Sequence, residues 1–225
     1  AVTAELVLAD VRAGYGGVEV LHGVSLVVPA VGVTALLGRN GAGKTTLLGT
    51  LAGLVPVRSG RVTWGGRDLE GWGVRARAQA GLLLVPERQG VFPDLTVREN
   101  LELFARGPAE QARRDEALAA FPVLAERLEQ RAGSMSGGEQ QVLALSRALV
   151  QRPRLLLVDE LSSGLAPRIA TQLFEVVAEL ARTCTVVLVE QYEDDALRLA
   201  EVVYVLDRGD VVFAGEPGEL AGQGV

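Results

Sequence analysis

The chain has 225 residues, which suffices for one large domain or two small ones with a sizeable buried core. With 48% hydrophobic and 22% charged residues it has the composition of an ordinary soluble globular protein, which excludes intrinsic disorder. A net charge of −6 argues against a broad nucleic-acid-binding face, and a single cysteine excludes an intramolecular disulfide or a cysteine-built metal site.

ELVLADV (5–11) and VEVLHGVSLVV (18–28) read as strands, the second with a junction at Gly23. His22, the sole histidine, lies there with no metal-ligand or nucleophile set to pair with, and reads as structural. VTALL (33–37) is a buried strand running into a glycine-rich loop, and KTTLLGTLAGL has helical spacing. GRVTWGG (60–66) is a strand closed by a glycine turn, and GLLLV (81–85) is another buried strand. From Pro93 to Gln151 the stretches TVRENLELFAR, AEQARRDEALAAF, VLAERLEQ and GEQQVLALSRALVQ are all helical. Short apolar strands return at 155–159, 184–189, 202–206 and 211–215, with helices near 167–182 and 193–200. Cys184 opens the apolar run CTVVLV, which predicts a buried core thiol. Strands alternating with helices imply a mostly parallel sheet, and the helical block at 93–151 reads as an insertion in it. No stretch approaches the ~18 apolar residues needed to cross a bilayer, and no basic-then-apolar leader opens the sequence. The chain is therefore expected to be cytosolic in character and to reach a membrane only through a partner.

Gly38-Arg39-Asn40-Gly41-Ala42-Gly43-Lys44-Thr45 fits the pattern G-x-x-x-x-G-K-[ST], after a buried strand and opening a helix. Glycines let the backbone curl so that successive N–H groups face a phosphate chain at the positive end of a helix dipole. Lys44 is the only lysine beside 21 arginines. A compact ammonium can sit between phosphate oxygens as a point charge, whereas a planar guanidinium is too wide for such a nest. LLLVDE (155–160) describes a buried strand whose acids emerge at its C-terminal edge, where open parallel sheets bind ligands. Asp159 suits Mg²⁺ held through water beside Thr45, and Glu160 could polarise an attacking water. In MSGGEQQ (135–141), Ser136 can cap a helix, with Glu139 completing a capping box; two glycines directly after the cap let a ligand approach closely. A guanine-reading N-K-x-D cannot occur in a chain whose single lysine is Lys44, which excludes a switch GTPase, and a P-loop kinase leaves SGGEQ unexplained.

GRNGAGKT, SGGEQ and LLLVDE, in this order and spacing, resemble the Walker A, signature and Walker B motifs of ABC-type ATPases, and the resemblance covers essentially the whole chain. It implies an α/β fold: a P-loop NTPase (RecA-like) core with a mostly parallel sheet, an N-terminal antiparallel β-subdomain and an inserted α-helical subdomain. Core and β-subdomain would occupy about 1–92 and 152–225, and the helical subdomain about 93–151. It also implies ATP and Mg²⁺. Nucleotide contacts would come from Tyr15, stacking on adenine, from Gly38, Arg39, Asn40, Gly41, Ala42, Gly43, Lys44, Thr45 and Thr46, and from Ser136, Gly137, Gly138, Glu139 and Gln140 of the opposite protomer. Mg²⁺ would lie at Thr45, Glu87 and Asp159, and catalysis would rest on Glu160 and Gln191.

VPERQGVFPDLTVRENL (85–101), AGSMSGGEQQ and SGLAP (163–167) are similar to the LivF type of branched-chain amino acid importer ATPases, with urea or short-amide importer ATPases as the nearest cousins. That similarity implies a second ATPase subunit, itself or a paralogue, in a head-to-tail dimer. Transmembrane permease subunits would dock near 87–104, a substrate-binding protein would act indirectly, and nucleic acid would have no part. The location would be peripheral, on the cytoplasmic side of the cell membrane. A soluble non-transport ABC ATPase is the main rival; those usually carry two cassettes or a long coiled-coil insertion. Departures from the wider family are Glu87 in place of the usual Gln, Gln191 in place of the usual His, Leu161 in place of the frequent Pro, and Ala166 where many relatives carry Asp. They bear on turnover rate more than on fold.

Overall fold

The computed structural model describes residues 4–88, 90–105, 107–190 and 193–221. Two sheets enclose one helix. The first, antiparallel, has the order β2-β1-β4-β5, from β1 (Ala4–Tyr15), β2 (Val18–Pro29), β4 (Val57–Trp64) and β5 (Arg67–Asp68). The second has the order β10-β9-β3-β8-β7-β6, from β3 (Gly32–Leu37), β6 (Leu82–Val85), β7 (Leu155–Asp159), β8 (Thr185–Val189), β9 (Val202–Asp207) and β10 (Asp210–Gly215). All its pairs are parallel except β9–β10. The expected α/β class with a mostly parallel sheet and an antiparallel N-terminal sheet is borne out.

The junction at Gly23 is a change of parity. Leu21 is buried on one side of it and Val24, Leu26 and Val28 on the other, and the β1–β2 register shifts between Val11 and Arg12 at the same place. One extra residue restores the inward face after the bulge.

Helix α1 (Lys44–Ala52) is buried at every position but Thr45, as expected of a helix between two sheets. The residues of the parallel strands alternate between two cores. Val33, Ala35, Leu37, Leu156, Val158, Val186 and Leu188 face one, while Leu36, Leu155, Leu157, Val187 and Val189 face the other, with α1 and the first sheet. Burial on both faces is why these strands read as continuous apolar runs. The first core is completed by helices α3 (Val97–Phe104), α4 (Pro108–Ala120), α5 (Pro122–Glu126), α6 (Gly137–Gln151) and α7 (Pro167–Ala181), with α8 (Glu193–Leu199) and α9 (Pro217–Ala221) at its margin. Cys184 belongs to it, and burial pushes its thiol up to about 11.

Helix α2 (Val74–Gln79) escapes the sequence reading because VRARAQ is short and polar. Its Arg77 is nevertheless buried, donating to the carbonyls of Thr50 and Leu51 at 2.7 Å each and of Trp72 at 2.8 Å. A guanidinium on the last carbonyls of α1 satisfies acceptors the helix cannot satisfy itself.

Candidate functional site

The parallel register brings four strand ends to one edge. Val85 pairs with Val158, and Asp159 with Val189, so the residues that follow β6, β7 and β8 are neighbours, with the end of β3 beside them. Glu87 follows β6, Asp159 ends β7 and Glu160 follows it, Glu190 follows β8, and the glycine loop follows β3.

In the loop, Gly38, Gly41 and Gly43 have φ of 146°, 82° and 107°, and Ala42 N donates to Arg39 O at 3.1 Å. From outside the loop, Gly209 N donates to Ala42 O at 2.8 Å. Lys44 is buried, and its ammonium donates to Gly38 O at 2.7 Å and Arg39 O at 3.4 Å. Glu160 Oε1 lies 3.6 Å from it. Asn40, Gly41, Gly43, Lys44, Thr45, Thr46, Val20 and Glu160 line a cleft of about 230 Å³ at the N-terminus of α1.

Asp159 is buried, and its Oδ1 has no hydrogen-bond partner among the described residues. Burial, the largest effect, pushes its carboxyl above the usual carboxylate range; a hydrogen bond from Thr45 opposes this, Glu160 and Glu87 add to it, and Lys44 opposes it. A buried carboxylate oxygen without a partner, next to a threonine hydroxyl, is a hard-oxygen donor pair. It suits a divalent cation such as Mg²⁺, which shares its coordination with substrate phosphates and water rather than needing an all-protein cage. Glu160 has a φ of 46°, a left-handed conformation uncommon outside glycine and frequent at functional sites.

Ser136 caps α6, accepting from Glu139 N at 3.3 Å, while the Glu139 carboxylate accepts from Ser136 N at 2.9 Å: the expected capping box. Arg127 Nε holds the other oxygen of Glu139 at 2.8 Å, and Gln140 Nε2 donates to Ala132 O and Met135 O at 3.1 and 3.2 Å. Both side chains are thus engaged in bracing the turn. The exposed Ser136 and Gly137, with Gly138, line a second cleft of about 460 Å³, together with Glu87, Arg88, Glu160, Leu161, Ser163 and Gly164. Asn40–Thr46 do not line it. Glu160 is the residue common to both clefts.

The ABC transporter family model matches residues 21–163. The chain belongs to the ABC transporter family. The high-affinity branched-chain amino acid transport ATP-binding protein BraG of Pseudomonas aeruginosa is 46% identical over 203 residues, covering 88% of this chain and 87% of the relative. The "Probable branched-chain amino acid transport ATP-binding protein LivF" of Archaeoglobus fulgidus is 36% identical, covering 93% and 91%. A solved ATP-binding subunit of an ABC transporter superposes with a TM-score of 0.86 at 28% identity, over 97% of this chain and 92% of that one.

This ABC protein is an ATPase, with hydrolysis coupled to transport. Among its described residues no helix is long and apolar enough to cross a membrane. The geometry brings Lys44, Thr45, Asp159 and Glu160 together, with Glu87 close enough to act electrostatically on Asp159. Tyr15 sits exposed where the β1–β2 hairpin turns, and Arg58 braces that turn through Gly16 O and Val18 O at 2.7 and 2.8 Å. Gln191 lies outside the described residues. Its neighbour Glu190, which the sequence reading passed over, is buried and accepts from Ser162 N at 3.1 Å and Ser162 Oγ at 3.0 Å. A carboxylate directly after the apolar run TVVLV was the available signal.

Proposed function

We propose that this chain is the ATP-hydrolysing subunit of an importer for branched-chain amino acids, working as one half of a head-to-tail pair with a second ATPase subunit, itself or a paralogue. The observation that carries this is the separation of the two clefts. Lys44, Thr45 and Thr46 share one cleft with Glu160, with Asp159 buried beside Thr45, while Ser136–Gly138 share a different cleft with Glu160, which suits a second chain's nucleotide. The 46% identity to BraG supports the substrate class.

In this reading the amides of Gly38–Thr46 and the Lys44 ammonium bind the β- and γ-phosphates, and Tyr15 stacks on adenine. Thr45 and Asp159, with Glu87 beside them, hold Mg²⁺, which when bound neutralises phosphate charge. Glu160 orients and polarises the attacking water, and Gln191 hydrogen-bonds the γ-phosphate. Ser136, Gly137 and Gly138 complete the facing protomer's site, with Glu139 and Gln140 bracing them. The helical block of about 93–151 is a subdomain inserted into the core and β-subdomain (about 1–92 and 152–225). Permease subunits dock near 87–104, which keeps the chain peripheral on the cytoplasmic side of the membrane, and a substrate-binding protein delivers the solute. Nucleic acid has no part.

The test is transport by the assembled importer in vesicles. ATP-dependent uptake of leucine, lost with Glu160→Gln, is the expected result. Uptake of urea in place of leucine would reassign the substrate class, and uptake indifferent to Glu160→Gln would remove the ATPase assignment.

A further inference from the structure

Glu160 holds a backbone conformation that a glutamate keeps only when its surroundings impose it (φ 46°). The bonds on either side of it say what imposes it. Its own N–H donates to Val189 O at 2.9 Å, one bond past the end of β7. Two residues on, Ser162 donates twice to the next residue of the same neighbouring strand end, from N to Glu190 Oε1 and from Oγ to Glu190 Oε2. Val189 and Glu190 therefore grip the chain at positions 160 and 162 and fix the sharp turn between them. Glu190 and Ser162 are both buried, so the two hydrogen bonds between them are sheltered from competing water.

We infer that Glu190 is a positioning residue for hydrolysis: its carboxylate clamps Ser162 and so holds Glu160 in the left-handed conformation that carries its side chain to Lys44. The inference rests on Glu160 being the residue that polarises water. It gives the strand end before Gln191 a task distinct from any contact that Gln191 itself makes. The same turn contributes Leu161, Ser163 and Gly164 to the cleft of Ser136–Gly138, so the clamp ties the chemical residue to the surface facing a second chain. Without it, residue 160 is free to relax to ordinary right-handed geometry, and its carboxylate leaves the edge of the sheet. The phosphate loop has its own supports, the Lys44 ammonium on Gly38 O at 2.7 Å and Gly209 N on Ala42 O at 2.8 Å, so ATP affinity should be spared.

The experiment measures kcat and KM for ATP in the assembled importer. Glu190→Ala should lower kcat about tenfold or more, the factor that ~1.4 kcal/mol of lost transition-state stabilisation gives, with KM within about twofold. Glu190→Gln retains one carbonyl oxygen for Ser162 N and should recover part of the rate. Parent-level kcat in Glu190→Ala, or a KM that rises in step with the loss, overturns the inference. Should Glu190→Ala fail to fold, Glu190→Gln and Ser162→Ala decide it. Each should lower kcat with KM unchanged, and their double variant should fall less than the two losses combined, because both act on one bond pair. Additive losses, or none, overturn it. Glu160→Gln runs alongside: if it hydrolyses ATP at the parent rate, the proposed catalytic role falls and this inference with it. If only the Glu190 and Ser162 variants are silent, the catalytic role stands and the clamp does not.

Discussion

Lys44 Nζ lies between Gly38 O, at 2.7 Å, and Glu160 Oε1, at 3.6 Å, so the cation of the phosphate loop and the acid at the end of β7 face each other across one small cleft. The pair belongs to two elements separated by more than a hundred residues of sequence, and the parallel order β3-β8-β7 brings them together. A phosphate entering the cleft would meet the ammonium already aimed by the loop's own carbonyls.

Lys44→Arg is expected to weaken ATP binding by at least about tenfold, or ~1.4 kcal/mol, despite keeping the charge. The side chain is buried and folded against Gly38 O, and a planar fork cannot occupy the same space. Calorimetric titration with ATP checks this, and near-native affinity would refute the point-charge argument.

Ser136→Arg should abolish hydrolysis while leaving the single chain's own affinity for ATP within about twofold, because Ser136 opens into a cleft that the phosphate loop does not line. Equilibrium binding on the dilute chain, set beside ATPase rates of the assembled pair, separates the two effects. Equal loss in both would put Ser136 in its own chain's site. Thermal unfolding should move little, since Arg can neither cap nor greatly strain an exposed first turn beyond the ~1 kcal/mol a lost cap costs.

Asp159→Asn should stabilise the nucleotide-free protein while removing its hydrolysis. Burial raises the Asp159 pKa, so the folded state holds the proton more tightly than the unfolded chain does. The sign follows: this contribution is fully present below the ordinary aspartate pKa and is lost as pH climbs through the raised value. At neutral pH the parent therefore carries an unfavourable buried charge that asparagine lacks. Melting in the absence of nucleotide should show the variant higher by a few degrees, at about 2–4 °C per kcal/mol for a chain of this size. The gap should close as the pH is lowered into the carboxylate range. A variant that melts below the parent at neutral pH would contradict this.

Two loop glycines should respond differently to alanine. At Gly41 (φ 82°) a Cβ meets nothing within 4 Å, so Gly41→Ala should show only the left-handed penalty of about 1–2 kcal/mol. At Gly38 (φ 146°) a Cβ would run into the carbonyl oxygen of Leu206, a backbone atom of β9 that cannot step aside. Gly38→Ala should therefore lose more stability than Gly41→Ala in chemical denaturation. It should also lose ATP binding, because relief of the clash must move the loop. Similar losses in the two variants would mean that the loop yields freely.

What the sequence determined by itself is what short-range physics encodes. The apolar runs at 33–37, 81–85, 155–159 and 184–189 are five or six residues long, too short for a core helix, and read as strands buried on both faces, where no alternation remains because each face meets a core. The glycine loop, the DE pair after a strand and the SGGE cap each announce their chemistry within eight residues, since they act through backbone conformation and immediate neighbours. Tertiary structure decided what depends on pairing order. The placing of β8 between β3 and β7 sets Lys44 against Glu160 and brings Glu190 onto Ser162, contacts between residues 116 and 28 positions apart. Arg77 on the end of α1 is of the same kind: nothing within VRARAQ points to the carbonyls of Thr50 and Leu51 that it meets in the fold. A long-range partner leaves no mark on local pattern, so a buried charge is visible in sequence only as a charge, and its role waits on what the fold packs against it.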